Sequence, residues 1–276
     1  MTHAVKPITL TKVSPTGTAL VNDVLALEEP LAIRLVSGRG SDQVEQDVSV
    51  TMRTPGNDAA LAAGFLFTEG IIESPDQVEE IRGDDRHQHD QGVTVFLKPG
   101  VSVDSKRLQR NFYTTSSCGV CGKSSVDAIR MACKPVKAED FKIQASVIQS
   151  LPQHLRVQQN IFEQTGGLHA AALFDGAGNL IVLQEDVGRH NALDKVIGEK
   201  FLRNEIPISN QILMLSGRIS FELVQKAAMA YIPVIAAIGA PSSLAVALAT
   251  EMNITLLGFV RGEQFNMYTH GKRIYI

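Results

Sequence analysis

Two cysteines stand three positions apart in TTSSCGVCGKSS, residues 114–125, a stretch that also holds two glycines and six hydroxyl side chains. Cys118 and Cys121 admit four chemistries: a structural zinc clip, a redox dithiol, a deaminase-type catalytic zinc site, or a nucleophile that carries sulfur. The thiolate is the reactive form, and Lys123 together with the positive end of a helix expected from about Ser124 would favour it. Two neighbouring thiols can also act in turn, one holding sulfur as a persulfide and the other attacking to release it. A structural zinc needs four ligands, and no second C-x-x-C or H-x3-H is present; Cys133 and His169 obey no zinc spacing. A zinc deaminase needs H-x-E followed by P-C-x-x-C. Here Ala171 stands where that glutamate belongs and the cysteines precede His169, so catalytic deamination is excluded. Sulfur or redox chemistry is favoured, with zinc behind it and no metal site assigned.

Other polar stretches suit ligand contact. TGGLHAA, 165–171, sets His169 after a flexible Gly-Gly, although a hydrogen-bonded histidine beside a turn explains it as well. EDVGRHNALDK, 185–195, gathers Glu185, Asp186, Arg189, His190 and Asp194 at a strand-to-helix junction, where helix capping competes with ligand binding. SGRISFE, 216–222, could hold phosphate through Ser216, the Gly217 backbone and Arg218, or be a tight strand-to-helix turn. His87 and His89 in RHQHDQG read as a solvated loop, and Cys133 in AIRMACKP as a small core or surface residue.

The elements that must position these groups follow from periodicity. Leu31, Ile33 and Leu35 alternate as in a half-buried strand, as do Val48, Val50 and Met52, and again Val93, Val95 and Leu97. NDAALAAGFLFTEG between them predicts a helix capped by Asn57 or Asp58 and stopped near Gly70. Further on, LHAAALFD and NLIVLQED form a hairpin across GAGN. QILMLS, PVIAAIG and ITLLGFV then alternate with helices, which predicts parallel strands covered on both faces. RHNALDKVIGEKF buries Leu193, Val196, Ile197 and Phe201. The helix after SGRIS sets Ile219, Leu223, Ala227 and Ala230 on one face and pairs Glu222 with Lys226. The fold class is α/β: a three-layer domain over 113–276, whose residues 113–124 are a mobile C-x-x-C loop, preceded by a smaller α+β domain over 22–112. Loops leaving the C-terminal strand ends of such a sheet meet ligands. Here they are SGRIS, GAPSS and RGEQFN.

Composition is that of an ordinary globular chain: 276 residues, 44% hydrophobic, 20% charged, net charge −3. Such a balance supplies no global field for nucleic acid. No apolar run approaches the roughly 18 residues of a membrane span, and the N-terminus lacks a signal-peptide core. These features predict a cytoplasmic protein, in which three cysteines form no disulfide framework.

FLFTEGII, CGVCG, TGGLHAA, EDVGRHNALDKVIG, SGRISFELVQKAA, PSSLAVALA and TLLGFVRGEQFNMYT together resemble the FdhD sulfur carrier family, the accessory sulfurtransferases of formate dehydrogenase. The likeness runs from about residue 28 to 270. It implies a cytidine-deaminase-like fold without the zinc machinery. It also implies a function: persulfide sulfur is taken from a cysteine desulfurase and passed to the molybdenum or tungsten bis(pterin guanine dinucleotide) cofactor. Cys118 would then be the persulfide intermediate and Cys121 its partner. The cofactor-binding segment falls on Phe259, Val260, Arg261, Gly262, Glu263 and Gln264, with Ser216, Arg218, His169 and Arg189 beside it. The resemblance further implies a homodimer serving formate dehydrogenase. One departure is Tyr231 in KAAMAYIP, where the family has a glycine; a changed turn is expected there. A cofactor chaperone without sulfur chemistry and a thiol–disulfide oxidoreductase are the competing functions.

Overall fold

The computed structural model describes residues 4–84, 92–101, 103 and 133–276. Among the described residues, strands β1 (Val5–Ser14) and β2 (Gly17–Ala26) pair only with each other, from Val5 opposite Ala26 to Ser14 opposite Gly17. No element was expected there, because the apolar alternation is weak, and Val13 and Leu20 are indeed exposed. Residue 22, the expected start of the smaller domain, lies inside β2. The expected boundary between 112 and 113 lies outside the described residues.

Next come β3 (Glu29–Ser37), β4 (Val44–Arg53), α1 (Asp58–Thr68), β5 (Val78–Asp84) and β6 (Gly92–Leu97). They form a four-stranded sheet ordered β4-β3-β6-β5, with β3 parallel to β6. Leu31, Ile33, Leu35, Val93, Val95 and Leu97 are buried as their spacing predicts. The alternation in β4 is corrected. Val48 is buried, but Val50 and Met52 are exposed. The register jumps from Ile33 opposite Ser49 to Arg34 opposite Asp47, which leaves Val48 as an extra residue. Such a bulge switches every later side chain to the other face. The predicted helix cap is corrected too. Asn57 is the N-cap residue, but its amide donates to Gln184 at 2.7 Å. Asp58 instead takes two bonds from the buried Arg53, each 2.9 Å.

The chain continues through β7 (Ile143–Gln144), α2 (Ala145–Gln158), α3 (Asn160–Thr165), β8 (His169–Phe174), β9 (Leu180–Asp186) and α4 (Arg189–Leu202). It ends with β10 (Ile212–Leu215), α5 (Phe221–Met229), β11 (Val234–Ala237), α6 (Ser243–Glu251), β12 (Thr255–Arg261), β13 (Gln264–Thr269) and β14 (Ile274–Tyr275). Six strands form one sheet, β13-β12-β11-β10-β8-β9. The predicted parallel order holds for β10, β11 and β12, while β8 and β13 flank them antiparallel. Alternate strand residues face opposite layers. Leu173, Leu213, Leu215 and Ile235 pack in one cluster with Leu193, Val196, Leu223 and Leu248 of α4, α5 and α6. Phe174, Ile212, Met214 and Val234 pack on the other side with Ile148, Leu151 and Leu155 of α2.

Helix α1 crosses α4 at backbone contact. A Cβ on Gly64 would fall on the carbonyl of Asp194, and one on Gly198 on the carbonyl of Ala60. Phe67 and Phe201 stack beside this crossing with centroids 5.0 Å apart. The predicted Glu222–Lys226 pair is corrected here. Lys226 is buried and reaches Asp194 at 3.0 Å, Glu69 at 3.2 Å and Thr68 at 2.9 Å. Lys195, also buried, meets Asp186 at 2.7 Å and the Thr54 carbonyl at 2.8 Å.

Tyr231 does not alter the turn that its position suggested. It takes a left-handed φ of +60°. Its N–H reaches the Ala228 carbonyl at 3.0 Å, and the Ile232 N–H reaches Ala227 at 2.9 Å. The helix-ending bonds of a glycine cap are kept, with the strain of a side chain in that region.

Helix propensity alone would make Gly64→Ala or Gly198→Ala stabilising. The crossing reverses the sign, and each replacement should destabilise by about 1–3 kcal/mol through overpacking. Urea unfolding midpoints decide it; unchanged or raised midpoints would contradict the geometry.

Candidate functional site

Parallel strands β10, β11 and β12 end at one edge of the large sheet. Antiparallel pairing brings the start of β8 and the end of β9 to the same edge, since His169 lies opposite Asp186 and Ala171 opposite Leu215. The loops there are laced by backbone bonds: Gly239 N–H to Gly217 at 3.2 Å, Ile219 N–H to Ala240 at 3.0 Å, and Phe259 N–H to Gly239 at 3.2 Å. The approach is close enough to need Gly239, because a Cβ there would lie 2.8 Å from the Gly217 oxygen. Ser216 closes β8 onto β10: its hydroxyl accepts from the Ala170 N–H at 2.8 Å. Arg218 is exposed beyond it.

The β12–β13 turn carries the segment Phe259–Gln264. A register break between Gly258 and Arg261 marks a bulge, and Phe259 has a φ of +54°. A non-glycine residue in this region is held there by its surroundings. Phe259 is exposed, with the Arg261 guanidinium 5.8 Å from its ring centroid. Arg261, Gly262, Glu263 and Gln264 are exposed, and Gln149 of α2 donates to the Glu263 carbonyl at 2.7 Å. Val260 differs: its side chain belongs to the core under α2, which leaves only its backbone for a ligand.

At the β9–α4 junction the charged residues divide. Glu185 accepts from the N–H groups of Ile161 and Phe162 at 3.0 and 2.8 Å and so caps α3. Asp186 is fully buried between Lys195, the Thr54 N–H and the Gly188 N–H. Asp194 belongs to the Lys226 network; burial raises its carboxyl to about 6 against the opposing pull of Lys226. These three hold structure. Arg189 and His190 differ. The Arg189 Nε is buried without an acceptor. His190 Nε2 lies 3.1 Å from the Ser220 hydroxyl and 3.9 Å from the Glu222 carboxylate. Burial first, then the charges of Lys226 and Arg189, push its imidazole down to about 4. His169 is lowered as well, by burial and then by Arg189. Both are therefore neutral near pH 7. Ser220 and Glu222 were not foreseen as part of this cluster; at the start of a helix they read as ordinary capping residues.

Cys118 and Cys121, with Lys123, His87 and His89, lie outside the described residues. Cys133 is in the core, and burial followed by Glu251 raises its thiol to about 11, so it is no thiolate at neutral pH. Among the described residues no helix is long and apolar enough to cross a membrane.

The profile of the FdhD/NarQ family matches residues 26–275. The "Sulfur carrier protein FdhD" of Mycolicibacterium paratuberculosis is 48% identical over 91% of this chain and 92% of its own. That of Saccharolobus solfataricus is 41% identical over 98% of both chains. Among solved structures, a protein assigned as a formate dehydrogenase accessory protein from Desulfotalea psychrophila matches with a TM-score of 0.76 and 25% identity, covering 99% of this chain and 100% of that one.

The lowered His190 has a consequence for stability. The folded state keeps His190 neutral down to about pH 4, whereas the unfolded chain takes a proton near the ordinary value of 6.5. Its contribution is present above that value and is lost as pH falls towards 4. His190→Asn should flatten the decline of the urea midpoint between these limits. Parallel pH profiles of the two proteins would refute the neutral imidazole.

Proposed function

The chain belongs to the FdhD/NarQ family, and from that premise we propose that it is a sulfur carrier in formate dehydrogenase maturation. Its sulfur comes from a cysteine desulfurase and goes to the molybdenum or tungsten bis(pterin guanine dinucleotide) cofactor, which is its substrate. The observation that carries the reading is the C-x-x-C pair in a chain so similar to named sulfur carriers. In the first step the Cys118 thiolate attacks the terminal sulfur of the donor persulfide. The donor's S–S bond breaks, its cysteine leaves as a thiolate, and Cys118 becomes the persulfide; no net oxidation is required. Cys121 is its partner in release.

The acceptor side of the reading rests on the sheet edge. Arg218 and Arg261 are exposed there and offset phosphate charge. Phe259 and the Gly262–Gln264 backbone offer an open surface beside them, with Ser216, His169 and Arg189 behind. The acceptor's metal takes the sulfur; this chain's residues bind and orient what carries the metal. The reading includes a cytidine-deaminase-like layering, a smaller domain over 22–112 before a larger one over 113–276, a cytoplasmic location and a homodimer. Two rivals share parts of it. A cofactor chaperone would use the same edge without a dithiol, and a thiol–disulfide oxidoreductase would use the dithiol without carrying sulfur.

The deciding experiment incubates the protein with a cysteine desulfurase and cysteine, then weighs the peptide containing Cys118. The carrier gains one sulfur atom, which Cys118→Ser abolishes, and co-expressed formate dehydrogenase loses activity with Cys118→Ser. A disulfide without added sulfur would favour the oxidoreductase. Full client activity with both cysteines replaced by serine would favour the chaperone.

A further inference from the structure

The hairpin β1–β2 is long for what holds it. Each of its strands has ten residues. Its base is tied down by the Leu27 N–H, which reaches the Ala4 carbonyl at 2.8 Å, and by contact of β2 with α3. Towards the tip Val13 and Leu20 are 76% and 77% exposed, and Ile8 nearer the base is 40% exposed. A two-stranded hairpin by itself is marginal in water, so a ladder of this length calls for a surface to lie on. Because β2 leans on α3, the open edge of the hairpin is β1. A second open edge is β4, the outermost strand of the four-stranded sheet and also ten residues long. Unpaired strand edges of this kind are templates for pairing with another chain. The two edges share one end. Leu27 and Glu28 lead from β2 into β3, whose first residue, Glu29, lies opposite Arg53 at the end of β4.

Counted from that shared end, the two strands match. One face of β1 carries Ile8 and Leu10, then Lys12. The bulge at Val48 sets Met52 and Val50, then Asp47 and Glu45, on one face of β4. Val50 and Met52 are exposed, and Asp47 is engaged by Arg34 at 3.1 Å. Among the described residues neither Lys12 nor Glu45 has an ion-pair partner. Asp23, across the hairpin from Ile8, accepts from the Val24 N–H at 2.8 Å. Apolar side chains thus come first on both strands, followed by a cation on one and an acid on the other.

We propose that β1 of one copy of this chain adds antiparallel to the β4 edge of a second copy, and reciprocally, so that two hairpin arms are exchanged about a two-fold axis near the shared ends. Ile8 and Leu10 then cover Val50 and Met52, and Lys12 meets Glu45. Pro7, which has no N–H to give, comes beside the Met52 carbonyl, which the Asn191 amide already occupies at 2.8 Å. A ten-residue strand is about 34 Å long and a sheet about 10 Å thick, so two exchanged contacts cover about 700 Å² per partner. That is close to the roughly 800 Å² per partner of a stable interface. The symmetry also makes the contact self-complementary and closed, leaving neither edge open to further copies. The inference rests on the homodimer included in the reading above and assigns its surface.

Sedimentation equilibrium of the full chain tests it. The parent should be a dimer, and Lys12→Glu and Glu45→Lys should each raise its Kd about tenfold, because symmetry counts the altered pair twice. Combining the two reversals should restore the Kd to within about threefold of the parent. Val50→Asp, at an exposed position, should weaken the dimer about tenfold or more. Without any variant, the amides of residues 8–12 should exchange more slowly above the Kd than below it. The interface is overturned if the single variants dimerise as the parent does, if the combined reversal is weaker than either alone, or if exchange over 8–12 ignores concentration. A dimer that survives every variant removes this surface and leaves the homodimer standing, whereas a monomeric parent removes both. A monomeric parent whose binding to purified formate dehydrogenase weakens with Lys12→Glu gives the arm to the client and overturns the exchange. Sulfur loading of Cys118 is measured separately and bears on the carrier function alone.

Discussion

The architecture depends on one close contact, the crossing of α1 over α4, where two glycines let backbone meet backbone. At that distance no side chain can intervene, so the helices cannot slide without steric clash. Charge then locks what packing has brought together. Asp186 with Lys195, and Asp194 with Lys226, are buried pairs tied to Thr54 and Thr68 of the segment around α1. Removing one partner of such a pair leaves an uncompensated buried charge, at about 3–5 kcal/mol. Buried pairs of this kind fix orientation more than they add stability. What they orient is α4, whose first turn presents Arg189 and His190 to the sheet edge.

That edge follows from topology. Three parallel strands deliver their C-terminal loops to one side, and the antiparallel hairpin β8–β9 adds its open end there. The same geometry explains why segments far apart in sequence, near 169, 189, 217, 240 and 261, become neighbours. Backbone bonds between the loops hold them in place, joined by side-chain bonds from Ser216 and Gln149. Arg218, Phe259 and Arg261 are exposed on these loops.

Much of this was legible in the residue pattern, and its limits are physical. Short apolar runs such as ILML and VIAA announce buried parallel strands, because both faces must be apolar. The helix α2 announced nothing: Pro152 lies within it, and only Ile148, Leu151 and Leu155 are buried. The bulge at Val48 was invisible for a related reason, since one extra residue inverts an alternation without changing composition. Lys226 shows a different limit. Spacing along a helix says which residues are neighbours on its surface, but not what packs across from them, and here Asp194 and Glu69 outbid Glu222. Among the residues assigned to the site, His169 and Arg189 lie at the sheet edge, whereas Val260 was assigned with its segment and proves to be core. The orphaned nitrogen of Arg189 is a property of three-dimensional packing, which no spacing reveals.

The burial of Cys133 has a practical corollary. A buried thiol pushed up to about 11 holds little of the thiolate that alkylating agents and oxidants attack at physiological pH. Of three cysteines in the chain, one is thus an internal blank. Whatever electrophile-reactive sulfur the native molecule displays must originate from the other two, and the difference between native and denatured labelling provides its own calibration.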